Sequence, residues 1–382
     1  MSADVWDFLS VNGFGTVGVA YQNNDEILYR DAFQSAEGSQ GEVSLVNHTV
    51  LGLQLDAHVS DALSLTVQGI ASGNNEKGRL LDLQWANFKY QATDAFDVRV
   101  GIMRVSAYMF SEILNVGYSY DWIALPDMYS AVPYDKHTGI EFSYHYALGD
   151  WMISPTFLFG QAVSEGKFLR EGEEALDVRI EADQIYAMCL KGVYDSLRLH
   201  AKYGRMKFSL TNGDIGELLS QLDALGIAQI SDAIDHYLVV DTPMSYVNIG
   251  ARYELFNTYV LGEYIKIDTE SFLPDITSWY VGAGYNFERW TPFVYYSEIT
   301  NTTNYRALST EGMSAEAAKA TMIANQAFAG ISSLPEIKDG KTVSVGFRYD
   351  WAENTQFKFQ YEDRHRFDEH LDVFSTSVDF VF

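Results

Sequence analysis

Six basic residues, Arg99, Arg198, Lys202, Arg252, Arg348 and Lys358, stand inside stretches where apolar and polar side chains alternate. In Ser344-Val-Gly-Phe-Arg-Tyr-Asp-Trp351, residues Val345, Phe347, Tyr349 and Trp351 fall on one face. Arg348 and Asp350 fall on the other, because strand side chains alternate with period two. Phe357, Phe359 and Tyr361 likewise oppose Lys358 and Glu362, and Val247, Ile249 and Tyr253 oppose Arg252 and Glu254. The chemistry such a face offers is electrostatic: fixed cations that pair with carboxylates and discriminate between ions.

Covalent chemistry has little to work with. Asp235-His236 comes nearest to a catalytic pair. Adjacent residues usually point apart, however, and no Gly-x-Ser-x-Gly elbow accompanies them. Cys189 is the single cysteine, so it forms no internal disulfide and lacks the paired spacing of a zinc or haem site. It reads as an apolar strand residue. His48, His58, His137, His145 and His200 show no dedicated ligand spacing. Neither enzymatic activity, a metal nor another cofactor is expected.

The elements that must position the charged faces are strands. No apolar run approaches the roughly 18 residues a transmembrane helix needs. Aromatic residues make up 14% of the chain and charged residues only 20%, a balance suited to aromatic girdles and short β segments. Alternation recurs in segments of about ten residues, the length with which a tilted strand crosses a bilayer. Segments start near Val11, Val43, Leu63, Leu80, Phe96, Thr138, Trp151, Glu181, Leu197, Pro243, Thr258, Thr277, Trp290, Lys341, Gln356 and Leu371. That makes about 16 strands, an even number with both ends on one side.

Connections alternate in length. Short turns fall at Ser60-Asp-Ala62, Thr93-Asp-Ala95, Gly149-Asp150, Asp195-Ser196, Phe256-Asn257, Glu288-Arg289 and Glu353-Asn-Thr355. Long loops are expected over 22–42, 106–137, 162–180, 209–242 and 301–340. Leucines at 218, 219, 222 and 225 predict a helix over 216–225, and Ser314 can cap a second over 315–328. Both helices either cover the rim or act as lids over the mouth.

A lipid-facing Arg or Lys would cost about 2 to 4 kcal/mol at the bilayer midplane, so the polar faces must point inward. That many interior charges predict a wet lumen, and about 16 strands enclose one wide enough to hold water. Two places break the pattern. Leu81, Leu83 and Trp85 share one parity and Phe88 and Tyr90 the other, which requires either a bulge near Ala86 and Asn87 or a different register. Glu263 falls on the outward parity of its strand, so either it sits near the rim or the faces of that strand are reversed.

The opening Asn12-Gly-Phe-Gly-Thr-Val17, the alternation of short turns with long loops, and the closing Phe374-Ser-Thr-Ser-Val-Asp-Phe-Val-Phe382 resemble the general porins of Gram-negative bacteria over nearly the whole chain. The resemblance implies an all-β fold: one transmembrane antiparallel barrel over 1–382, with short periplasmic turns, long extracellular loops and a third loop folded inward. In that family the third loop narrows the barrel and opposes acidic residues to a basic wall. Here it is 106–137, with Glu112, Asp121, Asp127 and Asp135. The stretch 115–129 is aromatic and is similar to that of a marine and gammaproteobacterial subgroup, lacking the short acidic tip of enterobacterial members. Phe380 and Phe382 resemble the signal read by the barrel-assembly machinery.

The resemblance further implies an outer-membrane location, a homotrimer, and lipid and lipopolysaccharide as neighbours. The expected function is passive diffusion of ions and small hydrophilic solutes. The formal charge of −26 speaks against nucleic acid as a partner and for a weak cation preference. A channel with a preferred nutrient, using Tyr118, Tyr120, Trp122 and Tyr129 as a track, and a plugged structural barrel are the competing expectations. Met1-Ser-Ala-Asp4 reads as a processed start.

Overall fold

The alternating segments form 16 long antiparallel strands in a computed structural model that describes residues 8–25, 29–30, 39–73, 80–168, 176–333, 339–366 and 369–382. They are β1 (Leu9–Gln22), β2 (Val50–Ser60), β3 (Leu63–Ser72), β4 (Leu81–Thr93), β5 (Phe96–Arg104), β6 (Lys136–Tyr144), β7 (Trp151–Phe168) and β8 (Leu176–Tyr194). They continue as β9 (Leu197–Thr211), β10 (Thr242–Leu255), β11 (Thr258–Thr269), β12 (Asp275–Tyr285), β13 (Trp290–Thr302), β14 (Gly340–Ala352), β15 (Thr355–Arg366) and β16 (Glu369–Val381). Two short pieces join the same sheet: Val43–Ser44 beside β1, and Tyr146–Leu148, which carries β6 on past His145.

Each strand pairs with its neighbours in sequence, and β1 closes the sheet by pairing with both β2 and β16. Closure leaves no edge strand, which is what permits a sheet to stand in hydrocarbon. The closing seam runs to the last residue. Gly13 and Phe382 exchange backbone hydrogen bonds of 2.8 and 2.9 Å. A Cβ at Gly13 would fall 2.1 Å from the Phe382 ring, and one at Gly15 would fall 2.5 Å from that of Phe380. These two glycines therefore make room for the terminal aromatics.

All seven expected turns join consecutive strands. Asp195 and Phe256 open their turns with φ of 49° and 53°, the left-handed conformation that suits tight hairpins. Three expectations shift. The second strand starts at Val50 rather than near Val43. β7 and β8 run for 18 and 19 residues, so they consume most of the expected 162–180 loop; 169–175 lie outside the described residues. The bulge in β4 falls at Gln84, where Gln68 pairs with Trp85 and Gly69 with Leu83, slightly before the expected position.

Outward positions are apolar and bare, as on Leu51, Leu53 and Leu55 of β2 and Val343 and Val345 of β14. Aromatics gather beside the short turns. Trp151 lies 5.1 Å from Tyr194 and Trp290 lies 4.5 Å from Tyr349, ring centre to ring centre. Such a belt anchors a barrel at a membrane interface. No helix among the described residues is long and apolar enough to cross a membrane.

The interior is not wet throughout. Inward side chains of the β8–β13 sector, among them Ile180, Met206, Ile265, Ile267, Ile276 and Ile299, belong to one buried core. Helices from two long loops fill it: α1 (Gly213–Asp223), α2 (Ala228–Tyr237) and α3 (Ala315–Ser332). Asn212 caps α1 by accepting from Ile215 N at 2.9 Å, and Ser314 caps α3 by accepting from Ala317 N at 3.2 Å. Ile215, Leu219 and Leu222 of α1, Ile230 and Tyr237 of α2, and Phe328 and Ile331 of α3 face that core. Tyr237 stacks on Phe328 at 4.2 Å with the rings 3° apart. α2, whose apolar spacing the sequence reading passed over, joins the other two. The lumen thus divides into a dry sector under the helices and a polar one elsewhere.

Candidate pore constriction

The segment 105–135 leaves β5 and returns to β6 inside the barrel. Its base is tied by Val105 N donating to Asp135 O at 2.8 Å. It turns on three short 3₁₀ segments, Ser111–Ile113, Gly117–Ser119 and Asp127–Ser130. An aromatic cluster gives it a core of its own. Trp122, 2% exposed, lies 5.7 Å from Phe110, and on the wall side 5.5 Å from Tyr280 and 5.1 Å from Tyr295. Tyr108 and Tyr129 meet at 4.7 Å. Burying rings of this size contributes on the order of 2 kcal/mol each, enough to hold the loop against the wall.

Polar anchors fix where it lies. Lys358 Nζ donates to Gly117 O at 2.6 Å and to Trp122 O at 2.9 Å. Gln360 Oε1 accepts from Ile123 N at 2.6 Å while its Nε2 donates to Ala124 O at 3.0 Å, completing a two-way clasp on the loop backbone. Glu263 accepts from Met109 N at 2.7 Å, from Tyr129 Oη at 2.5 Å and from Tyr280 Oη at 2.8 Å. Its inward position corrects the sequence reading. Both faces of β11 are apolar, with Leu261 and Ile265 inside and Val260 and Tyr264 outside, so alternation alone could not tell them apart.

Each of the four loop carboxylates meets a cation of the wall. Glu112 lies 2.8 Å from Lys191 Nζ, Asp121 2.6 Å from Arg348, and Asp135 3.4 Å from Arg104. Asp127 holds Arg364 and, at 2.8 Å, Arg366. Burial works to raise the Asp127 pKa, but the two guanidiniums outweigh it and hold the carboxyl below its ordinary value.

Of the six basic residues read from the sequence, Arg348 takes a loop carboxylate and Lys358 and Lys202 reach other loop atoms, Lys202 Nζ donating to Ser106 Oγ at 3.3 Å. Arg99 lies 3.6 Å from Glu141 on the neighbouring strand. Arg252 donates to Glu254 at 2.9 Å and stacks over Tyr259, while Arg198 sits opposite Arg252 in register, near the short turns. Phe380 and Phe382 lie at the seam.

Lys191, Arg104, Arg364 and Arg366 were not read from the sequence. Arg364 shares the parity of Lys358 and could have been found by carrying the alternation further. Lys191 follows a bulge at Asp183 to Tyr186, with Gln184 at φ 50°, which resets the parity of β8. Asp235 is exposed, and His236 hydrogen-bonds to Asn304 O at 2.7 Å.

Across from the dry sector the loop touches the wall at points, Asn115 donating to Gln84 at 3.2 Å, and leaves space between them. A cavity of about 260 Å³ remains there. On the wall it is lined by Thr16, Ile70, Asp82, Gln84 and Asp379, and on the loop by Tyr108, Tyr120, Tyr129 and Asp135.

No family model matches the chain, and no curated protein matches it in sequence. Its shape has many counterparts. DcaP of Acinetobacter baumannii, an outer-membrane channel, superposes with a TM-score of 0.58 at 11% identity, over 98% of both chains. OmpT of Vibrio cholerae, an outer-membrane protein also known in a trimer form, gives 0.55 at 12% identity, over 98% of this chain and 100% of that one. Salmonella typhi OmpF, in complex with daunomycin, gives 0.53 at 12% identity, over 98% and 97%. The fold is that of the outer-membrane porins. Within this porin fold the inward loop after β5 and the wall anchors on β11, β14 and β15 make one unit. The helices over β8–β13 make a second, and together they leave the cavity beside β1–β4 as the open space.

Proposed function

We propose that the chain is an outer-membrane channel of a Gram-negative bacterium through which ions and small hydrophilic solutes diffuse passively. The observation that carries this reading is the lopsided filling of the lumen: loop and helices pack one sector dry, while a cavity with an aromatic loop side and a largely polar barrel side persists against β1–β4. A structural barrel has no use for a space kept open between its wall and a loop anchored this firmly. On the cavity walls Asp82, Asp135 and Asp379 are each paired, with Lys136, Arg104 and Lys358, so a weak preference for cations rests on the formal charge of −26. Three tyrosines on the loop wall, Tyr108, Tyr120 and Tyr129, favour a second reading in the same class, a channel with a preferred flat or sugar-like solute.

The apolar belt supports a lipid and lipopolysaccharide setting, and the terminal phenylalanines at the seam support recognition by the assembly machinery. A homotrimer accords with the trimer form of the Vibrio cholerae relative in shape. Planar-bilayer recording tests the function directly. Steady single-channel current with a potassium-over-chloride reversal potential supports the channel; a silent, correctly folded barrel overturns it in favour of a plug. Cross-linking in mild detergent reads the oligomer.

A further inference from the structure

The hairpin of β15 and β16 brings two histidines and two aspartates together on the outer wall, on the side of the long loops. His365 pairs in register with His370, and Asp363 with Asp372. The imidazoles stack at 4.5 Å with planes 13° apart. Both aim Nε2 at one oxygen, Asp363 Oδ1, at 2.9 Å from His365 and 3.0 Å from His370. Like charges directly opposite across two strands destabilise a sheet, so the Asp363 and Asp372 pairing calls for a cation between them.

We propose that Asp363, His365 and His370 form a binding site for one divalent transition-metal ion of the zinc type. Their ligand atoms all lie within 4.8 Å of one another. Bonds of about 2.0 to 2.1 Å at a tetrahedral ion put ligand atoms about 3.3 Å apart, close to the separations already present. Two imidazoles with one carboxylate suit zinc, copper or nickel and disfavour calcium and magnesium, which take oxygen ligands.

Each ring would present its Nε2 lone pair and keep its proton on Nδ1. Asp372 stands behind the site, 3.7 Å from His370 Nε2, held by Tyr361 Oη at 2.7 Å and Asn23 Nδ2 at 2.7 Å. It adds negative charge without competing for the first position. His365 and His370 are 60% and 53% exposed, so an ion has an open approach.

The full chain, folded in detergent and stripped with chelator, would be titrated with Co²⁺ while visible absorption is followed, then with Zn²⁺ by calorimetry. One ion per chain at micromolar concentration is expected, with Zn²⁺ displacing Co²⁺. The double variant His365→Ala, His370→Ala should lose the signal, and Asp372→Asn should weaken it by about 10-fold. Unchanged heat-dependent gel mobility certifies that each variant is folded. Absence of saturable binding below millimolar metal, or equal binding by the folded double variant, overturns the site.

Discussion

Lys358 Nζ lies 3.2 Å from Asp379 Oδ2 across the last two strands, and each side chain is 1% exposed. The pair sits where three things meet: the barrel seam, through Thr16 Oγ1 donating to Asp379 Oδ1 at 2.5 Å; the inward loop, through Gly117 O and Trp122 O; and the cavity, which Asp379 lines. Breaking it should cost both stability and loop position. Lys358→Met strands a buried carboxylate, a change that typically costs about 3 to 5 kcal/mol. Urea midpoints and single-channel conductance should both shift, and adding Asp379→Asn should recover part of the stability while the loop stays loose. Wild-type conductance in the single variant would refute the anchor.

The pairing of Asp127 with Arg364 and Arg366 sets a pH window. Its pKa in the folded state lies below the ordinary value, so the docking free energy is fully present above about pH 4 and is lost as pH falls through the lower folded value. Conductance should hold level from neutral pH to about 5 and change only below about 4. Asp127→Asn should show the altered conductance already at neutral pH. An acid step of equal size in that variant would assign the transition to another group.

Neutralising Glu112, Asp121 and Asp127 together leaves Lys191, Arg348, Arg364 and Arg366 without their loop partners. Selectivity should then move toward anions, read as a shift of reversal potential in a potassium chloride gradient. The Glu112 pair, about two-fifths exposed on both sides, should contribute the least, under about 1 kcal/mol to stability. No movement of the reversal potential would show that these carboxylates stand away from the ion path.

Phe328 is fully buried against Tyr237 and joins α3 to α2. Phe328→Ala should cost about 3 to 5 kcal/mol locally, releasing the helices while the strands stay paired. Limited proteolysis should then cut within 209–242 and 301–340, with heat-dependent gel mobility unchanged. Protease resistance equal to wild type would show that the helices hold without this contact.

Period-two alternation, turn chemistry and a terminal aromatic sufficed to read the barrel, its strand number and its short turns, because a strand between lipid and water writes its two environments directly into adjacent residues. Alternation failed where the lumen face is itself apolar. Leu261, Ile265 and Ile267 face loop and helices rather than water, so β11 carries no contrast between its sides and Glu263 was placed outward. Parity also failed past the β8 bulge, hiding Lys191, whereas the change of parity along β4 did reveal its bulge, because apolar residues stand on the outer face on both sides of it.

The partners of the loop carboxylates were beyond any such reading. Asp127 and Arg364 are separated by 237 positions, and only barrel closure sets their distance. The same holds for His365 and His370, whose five-residue separation matches no ligand motif until hairpin register faces them across two strands. Local environment is legible residue by residue along a chain. Which charges meet depends on shear, closure and packing, properties of the whole sheet that no single segment carries.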